Sequence, residues 1–208
     1  MNHRITPEFE SIIGASRLES LNSHPSSVYG LDSELNLSYL NPAWFQFAKE
    51  NGGDVFIDEK WSLGRNVFDC IPDILKSYYS KLFESTLNDT EPSNISIQSE
   101  YECSSTTTYR RFSMHIYPLG ANGFVVVHSL VIEEPHKSRS TEGLLALVED
   151  DYLDDNELIL QCANCRRIKN IKHEGRWDWL PKWIEEPRPN ISHGVCFPCM
   201  KQYYSRNE

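Results

Sequence analysis

The sequence lacks any long hydrophobic run. No stretch approaches the ~18 apolar residues that a helix needs to cross a bilayer. The first residues, from Met1 to Glu8, contain neither an apolar core nor a cleavage site of small residues, so we expect no secretion signal. Low-complexity segments and internal repeats are absent as well. These absences predict a cytoplasmic protein with no membrane segment.

Motifs of the common enzyme classes are also missing. The sequence has no Gly-rich ATP loop, no phosphoacceptor-histidine domain and no nucleophile elbow. With 208 residues, the chain has no room for a cyclase or phosphodiesterase domain beside its other segments. We therefore expect a protein that is not an enzyme.

Basic residues are scarce overall, and the charge is unevenly spread. The chain has 20 Lys and Arg against 30 Asp and Glu, a net charge of −10. Residues 1–132 balance at −7, residues 133–157 at −7, and residues 158–208 at +4. An acidic chain argues against non-specific nucleic-acid binding, although the basic tail keeps a nucleic-acid-binding regulator as an alternative.

Cysteines are few, and four of the six fall into two CxxC pairs. These are Cys162, Cys165, Cys196 and Cys199. A two-residue spacing lets both sulfurs of one tight turn reach the same ion, so the doubled pair predicts a four-thiolate structural zinc site. Because 30 residues, Arg166 to Val195, separate the pairs, a small folded element is expected between them. Reversible dithiol chemistry remains the alternative for the same cysteines.

Other side chains of the tail are predicted to support this site. His193 precedes Cys196 by three residues, and we expect it to orient a ligand or stabilise the turn rather than replace a thiolate. Trp177, Leu180 and Ile184 recur at helical spacing and are expected to pack against the knuckles. Trp179 and Trp183 are then expected to be partly exposed, as in a protein-docking surface.

Hydrophobic periodicity predicts an α+β fold with two early and three late strands around a block of helices. Thr6 and Pro7 start an N-terminal helix, and Asn41-Pro42 and Pro72-Asp73 start two more. The predicted boundaries are a flanking helix over 1–25, an α+β domain over 26–132, an acidic linker over 133–157 and a four-cysteine module over 158–208.

The segment from Val28 to Ile132 resembles a PAS (Per-Arnt-Sim) sensor domain. The sequence words that carry the resemblance are Leu31-Asp32, Leu40-Asn41-Pro42-Ala43-Trp44, Leu63-Gly64-Arg65-Asn66-Val67-Phe68-Asp69, Tyr101-Glu102-Cys103-Ser104-Ser105, Arg111-Phe112-Ser113-Met114-His115-Ile116-Tyr117-Pro118-Leu119 and Val126-Val127-His128. The resemblance implies a five-stranded antiparallel sheet whose helices clasp a pocket on one face. It also implies a role in sensing or dimerisation.

The tail resembles a small module found at the end of bacterial signalling proteins that contain PAS domains. Its words are Cys162-Ala163-Asn164-Cys165-Arg166-Arg167-Ile168, a Trp-containing helix over Trp177–Ile184, and Ser192-His193-Gly194-Val195-Cys196-Phe197-Pro198-Cys199. In this chain Phe197-Pro198 stands where that pattern has the proline first, which preserves the knuckle spacing.

A PAS pocket can hold a ligand or be filled by its own side chains, and the PAS ligand, if one exists, stays unassigned. The residues that can line such a pocket, or form the core in its place, are Trp44, Phe47, Phe56, Trp61, Phe68, Phe112 and His128. The sequence lacks the cysteine motif of PAS photosensors that bind flavin, and its predicted long helix lacks the histidine that ligates haem in oxygen-sensing PAS domains. We therefore expect neither cofactor. His115 alternates with Phe112, Met114 and Ile116 and is expected on the opposite face.

These observations predict a bacterial signalling protein whose PAS domain regulates the presentation of a zinc module to a protein partner. A homodimer is expected, formed through the PAS domain and the apolar stripe Phe9, Ile12 and Ile13 of the N-terminal helix. The alternative for that helix is packing on its own sheet. The alternatives for the function are a thiol-based redox switch and a nucleic-acid-binding transcription regulator.

Overall fold

The computed structural model describes residues 4–51, 61–88, 97–105, 107–135, 149–180, 182–183, 186 and 188–204. The chain divides into two compact units. The first comprises Met1–Glu100 and Phe112–Val131, and the second comprises Tyr101–Arg111 and Ile132–Glu208. The boundary therefore falls within three strands of the chain, which begin in one unit and end in the other.

Two short helices open the first unit. The Thr6 hydroxyl accepts a hydrogen bond from the backbone N–H of Phe9 (3.3 Å), and Pro7 occupies the first turn of helix α1, Pro7–Ile13. This confirms the predicted helix start. Gly14 has φ of 73°, a value that favours glycine, and ends α1 before helix α2, Ala15–Ser23.

Within the described residues, six strands form the antiparallel sheet of the first unit. They are β1 (Arg4–Ile5), β2 (Ser27–Leu31), β3 (Leu37–Leu40), β4 (Ile97–Glu102), β5 (Thr108–Pro118) and β6 (Phe124–Pro135), in the order β1-β3-β2-β6-β5-β4. The prediction of five strands missed β1, which pairs with Tyr39 and Leu40 at the sheet edge. Two residues are too few to show the period-two alternation that identifies a strand.

The helices predicted between the early and late strands are confirmed. Helix α3, Pro42–Glu50, follows Asn41, whose side-chain oxygen accepts from the backbone N–H of Trp44 at 2.9 Å. A short 3-10 helix, Val67–Cys70, and the longer helix α4, Asp73–Asn88, come before β4. Each start has a polar cap or an acidic first turn, as the sequence predicted.

The N-terminal helices pack on their own sheet. Phe9, Ile13 and Leu18 are buried together with Val28, Tyr39 and Val125. The Phe9 ring stacks on Tyr39 at 5.7 Å, and it lies against Gly30, where an added Cβ would come within 2.2 Å of the ring. The prediction that this stripe is buried by a second chain is therefore wrong for Phe9 and Ile13, while Ile12 is 39% exposed. Homodimerisation itself stays a prediction.

In the described part of the second unit, four strands form a smaller sheet in the order β10-β7-β8-β9. They are β7 (Ile159–Cys162), β8 (Ile168–Lys169), β9 (Trp177–Asp178) and β10 (Ile191–Gly194), and helix α5, Phe197–Tyr204, follows. Strands β10 and β7 are parallel, and the other neighbours are antiparallel. Tyr152, Ile159, Ile168 and Trp183 form the small core.

Two tail predictions are corrected here. Trp177 belongs to strand β9, where it pairs with Lys169, so the helix expected from Trp177 onward does not start there. Trp183 is 2% exposed and packs on Tyr152, so it belongs to the core rather than to a docking surface. Helical spacing misled because pairing with β8 decides the local backbone. Trp179 is half-buried, and Ile184 lies outside the described residues.

Candidate metal centre

The first knuckle is a tight turn at the end of β7. The backbone N–H of Cys162 donates to the carbonyl of Arg167 (2.8 Å), and the N–H of Arg166 donates to the carbonyl of Cys162 (3.0 Å). Arg166 has φ of 62°, a left-handed conformation that lets the chain reverse within a few residues. The reversal places the Cys162 and Cys165 side chains on the same side of the turn, as the CxxC spacing predicted.

The second knuckle joins the first through the sheet. Strand β10 runs parallel to β7 with Gly194 opposite Cys162, and the N–H of Ala163 donates to the Gly194 carbonyl at 2.8 Å. Cys196 follows directly and donates its N–H to the Cys162 sulfur at 3.4 Å. The parallel register of two strands, rather than any local motif, brings the knuckles together.

The four cysteine sulfurs form one cluster. All lie within 4.8 Å of one another, and the sulfurs of Cys165 and Cys196 are 3.5 Å apart. The cysteines are between 0% and 5% exposed. Tetrahedral coordination at a metal–sulfur distance of about 2.3 Å places the sulfurs roughly 3.8 Å apart. The cluster therefore has the donor set and the size that fit one metal ion with four thiolate ligands.

The proximity of the thiols governs their ionisation. Hydrogen bonds with the other three cysteines lower the pKa of Cys162, whereas hydrogen bonds with Cys162, Cys165 and Cys196 raise the pKa of Cys199. Four negative charges within such a small buried volume repel one another strongly. Full deprotonation of the cluster consequently requires a bound cation, and a dication reduces the charge of four thiolates to −2.

Polar groups around the cluster contact its sulfurs. Asn164 donates its side-chain N–H to the Cys199 sulfur at 3.3 Å. The sequence analysis missed this residue, although an amide at the inner position of the CxxC turn is the signal that identifies it. His193, which was expected to support the site, lies opposite Gln161 in β10 and is exposed.

Several residues predicted for the sensor pocket lie together in the first unit, where Trp61 and His128 contact Tyr29 and Trp44 contacts Trp61. The Trp44 and Trp61 rings are 5.4 Å apart, and the Trp61 and Tyr29 rings are 6.0 Å apart. His128 stacks on Tyr29 with ring centroids 5.3 Å apart. Tyr29 was missed because its burial among these rings depends on contacts between distant segments.

Three of the predicted phenylalanines, Phe47, Phe68 and Phe112, take part in two ring–ring contacts. Phe47 meets Phe112 edge to face at 5.5 Å. The Phe68 and Phe83 ring centroids are 6.3 Å apart. Phe56 lies outside the described residues. The first contact joins helix α3 to strand β5, and the second joins the 3-10 helix to helix α4.

Burial controls the titration of two side chains in this cluster. It raises the pKa of Tyr29, so the hydroxyl stays protonated, and the nearby Tyr79 and Cys70 add to that shift. Burial lowers the pKa of His128 from 6.5 to about 4, so the imidazole is neutral at physiological pH. The cluster is thus an uncharged, aromatic environment.

The late strands show the predicted alternation. Phe112, Met114 and Ile116 are buried, whereas His115 is half-buried and its Nε2 lies 3.0 Å from the Ser113 hydroxyl. This confirms the expectation that His115 does not face the same side as the three apolar residues.

Comparisons with known proteins leave the family open: no protein-family model matches the chain, and no curated protein matches it. Among the residues that the structure describes, no helix has the length and apolar character required to cross a membrane.

Proposed function

We propose that this protein is a non-enzymatic signalling protein in which a PAS-like sensor domain regulates how a structural zinc module is presented to a protein partner. The observation that carries the proposal is the buried cluster of Cys162, Cys165, Cys196 and Cys199. A closed shell of four thiolates leaves no open position for substrate, so the metal holds a fold together rather than performing chemistry.

Zinc is the metal that this cluster suits best. Four soft thiolates in tetrahedral geometry favour zinc over calcium or magnesium, which prefer oxygen ligands. The core of the second unit is small, with Tyr152, Ile159, Ile168 and Trp183 as its buried cluster. Such a core supplies little stability, so a metal cross-link between β7 and the start of α5 is the natural stabilising element.

The sensor assignment rests on architecture. The PAS resemblance implies two early strands, a block of helices and three late strands, and the six-stranded sheet contains these strands with β1 added at its edge. The aromatic cluster around Tyr29 lies between helix α3 and this sheet, and it supplies the apolar environment of a sensor pocket. A ligand or partner that binds one packing arrangement better than another shifts the population of states, and the second unit responds.

Metal analysis of the purified full chain tests this proposal. We expect one zinc per chain, a loss of that zinc in Cys196→Ser, and protease sensitivity of residues 158–208 in the variant while the first unit stays folded. Cys103→Ser is the matched control, because Cys103 is outside the cluster and must leave the zinc content unchanged. Full zinc occupancy in Cys196→Ser would contradict the assignment.

A thiol-based redox switch is the second candidate, and one distance is compatible with it as well as with the metal site. The Cys165 and Cys196 sulfurs belong to different knuckles and lie only 3.5 Å apart. Peroxide can oxidise two such thiolates by two electrons to a disulfide, while the peroxide is reduced to water and the metal is released. Reversible zinc release by micromolar peroxide distinguishes this switch from a purely structural site, and salt-dependent DNA binding would instead favour the nucleic-acid alternative.

A further inference from the structure

Arg167 occupies a central position in the first knuckle. Its carbonyl accepts the N–H of Cys162 at 2.8 Å, which closes the turn. Its guanidinium Nη1 lies 3.1 Å from Oε2 of Glu102, and its side chain is within electrostatic range of Cys165, two residues earlier in the chain. Arg167 is therefore a fixed cation between a metal ligand and a carboxylate.

Glu102 is held in place from the other side. The Ser104 hydroxyl donates to Oε1 of Glu102 at 3.1 Å and accepts the backbone N–H of Arg110 at 3.2 Å. The Glu102 side chain is 15% exposed, and that of Arg167 is 29% exposed. A mostly buried ion pair whose carboxylate also accepts a hydrogen bond from a serine has a defined geometry, unlike a mobile surface pair.

Glu102 lies at the end of strand β4, so its contact with Arg167 connects this strand end to the first knuckle. Strand β4 begins in the first unit and ends at Glu102, which belongs with Arg167 to the second unit. We propose that the Glu102–Arg167 pair couples the metal centre to the strand ends Tyr101–Arg111, with Arg167 as a positioning residue for the Cys165 thiolate. This inference rests on the metal site proposed above and adds its regulation.

The physical reason is charge. Four thiolates around a dication carry −2, and the Arg167 guanidinium beside Cys165 neutralises part of it. Glu102 orients that guanidinium, so a strand end that moves also moves the cation away from the sulfur. Coupling of this kind is reciprocal: ordered strand ends favour metal binding, and bound metal orders the strand ends.

The test uses zinc-loaded and metal-free full-length protein. Hydrogen exchange of peptides covering residues 101–111 is expected to rise when zinc is removed from the wild type, and this zinc dependence is expected to disappear in Glu102→Gln. The rate of zinc transfer to a chromogenic chelator is expected to rise roughly 10-fold in Glu102→Gln, the usual effect of removing a group that supports a metal ligand.

Two variants provide the comparison. Glu149→Gln is the matched control, since Glu149 also pairs with an arginine, Arg188, in the same unit but outside the strand ends Tyr101–Arg111. It is expected to release zinc at the wild-type rate. Ser104→Ala keeps both charges of the pair and frees one carboxylate oxygen, so it is expected to give a smaller change in the same direction. It replaces Glu102→Gln in the comparison if that variant does not fold.

The outcomes separate the two proposals. Failure of the wild type to bind zinc overturns the proposed function. The coupling is overturned, and the metal site left intact, if Glu102→Gln binds one zinc per chain and releases it at the wild-type rate. The same conclusion follows if the hydrogen-exchange rate of residues 101–111 is unchanged when zinc is removed from the wild type. If wild type and Glu102→Gln have equal hydrogen-exchange rates in residues 101–111 without metal and differ only when zinc is bound, a merely structural role for Glu102 is excluded.

Discussion

The half-buried residue His128 makes the stability of the aromatic cluster depend on pH. Its pKa falls from 6.5 to about 4 because of burial beside Tyr29. The unfolded chain takes up a proton near pH 6.5, whereas the folded protein does so only near pH 4. The contribution of His128 to the free energy of unfolding is therefore complete above about pH 6.5 and is lost as the pH falls towards 4, by roughly 3 kcal/mol.

The variant His128→Phe keeps a ring against Tyr29 but cannot titrate. We expect its free energy of unfolding to depend less on pH between 4 and 6.5 than that of the wild type. Denaturant titrations followed by tryptophan fluorescence at several pH values measure this difference, and identical pH profiles would contradict the assignment.

A close approach between a strand and a ring explains why residue 30 is a glycine. An added Cβ would come within 2.2 Å of the Phe9 ring, so Gly30→Ala must displace α1 from the sheet. We expect a loss of about 1–3 kcal/mol in the free energy of unfolding. Because the clash is with one ring, Phe9→Leu combined with Gly30→Ala is expected to cost less than the sum of the two single changes, and strict additivity would show that the Phe9 contact is not the cause.

At the scale of elements, the Asn41 side chain links the start of helix α3 to the start of strand β2. It is fully buried, and its side-chain oxygen accepts from the N–H groups of Val28 and Trp44, each at 2.9 Å. Its amide N–H donates to the Ser26 carbonyl at 3.0 Å. The start of α3 and the start of β2 therefore depend on one side chain.

Asn41→Ala is expected to lower the free energy of unfolding by about 2–4 kcal/mol, because it removes a helix cap and leaves buried backbone groups unpaired. Asn41→Asp is the control that keeps the cap acceptor and loses the donor. Thermal and denaturant unfolding should rank wild type above Asp, and Asp above Ala. Equal losses in the two variants would show that the cap contributes nothing.

At the scale of the whole molecule, the two units are expected to differ in their dependence on metal. Removal of zinc by a chelator should unfold the second unit, whose core is small, and leave the first unit with its larger core folded. Hydrogen exchange of the full chain, with and without chelator, measures the two separately. Simultaneous loss of protection in β2 and β3, which lie wholly in the first unit, would show instead that the first unit also requires the metal.

The sequence by itself determined the features with a local physical signature. Thr6, Pro7 and Asn41 predicted helix starts because capping and proline geometry act within a few residues. The alternation of Phe112, Met114 and Ile116 predicted the buried face of β5, and the doubled CxxC spacing predicted the four sulfurs that the structure brings together.

Only the tertiary structure decided which distant residues meet. The burial of Phe9 and Ile13 by their own sheet, rather than by a partner, depends on Gly30 and Val125 far along the chain. The contact of Glu102 with Arg167 spans 65 residues and has no sequence motif. Periodicity identifies an apolar face or a charge, but the surface that covers it is set by the arrangement of all the elements, because burial and ion pairing are properties of positions in space rather than in sequence.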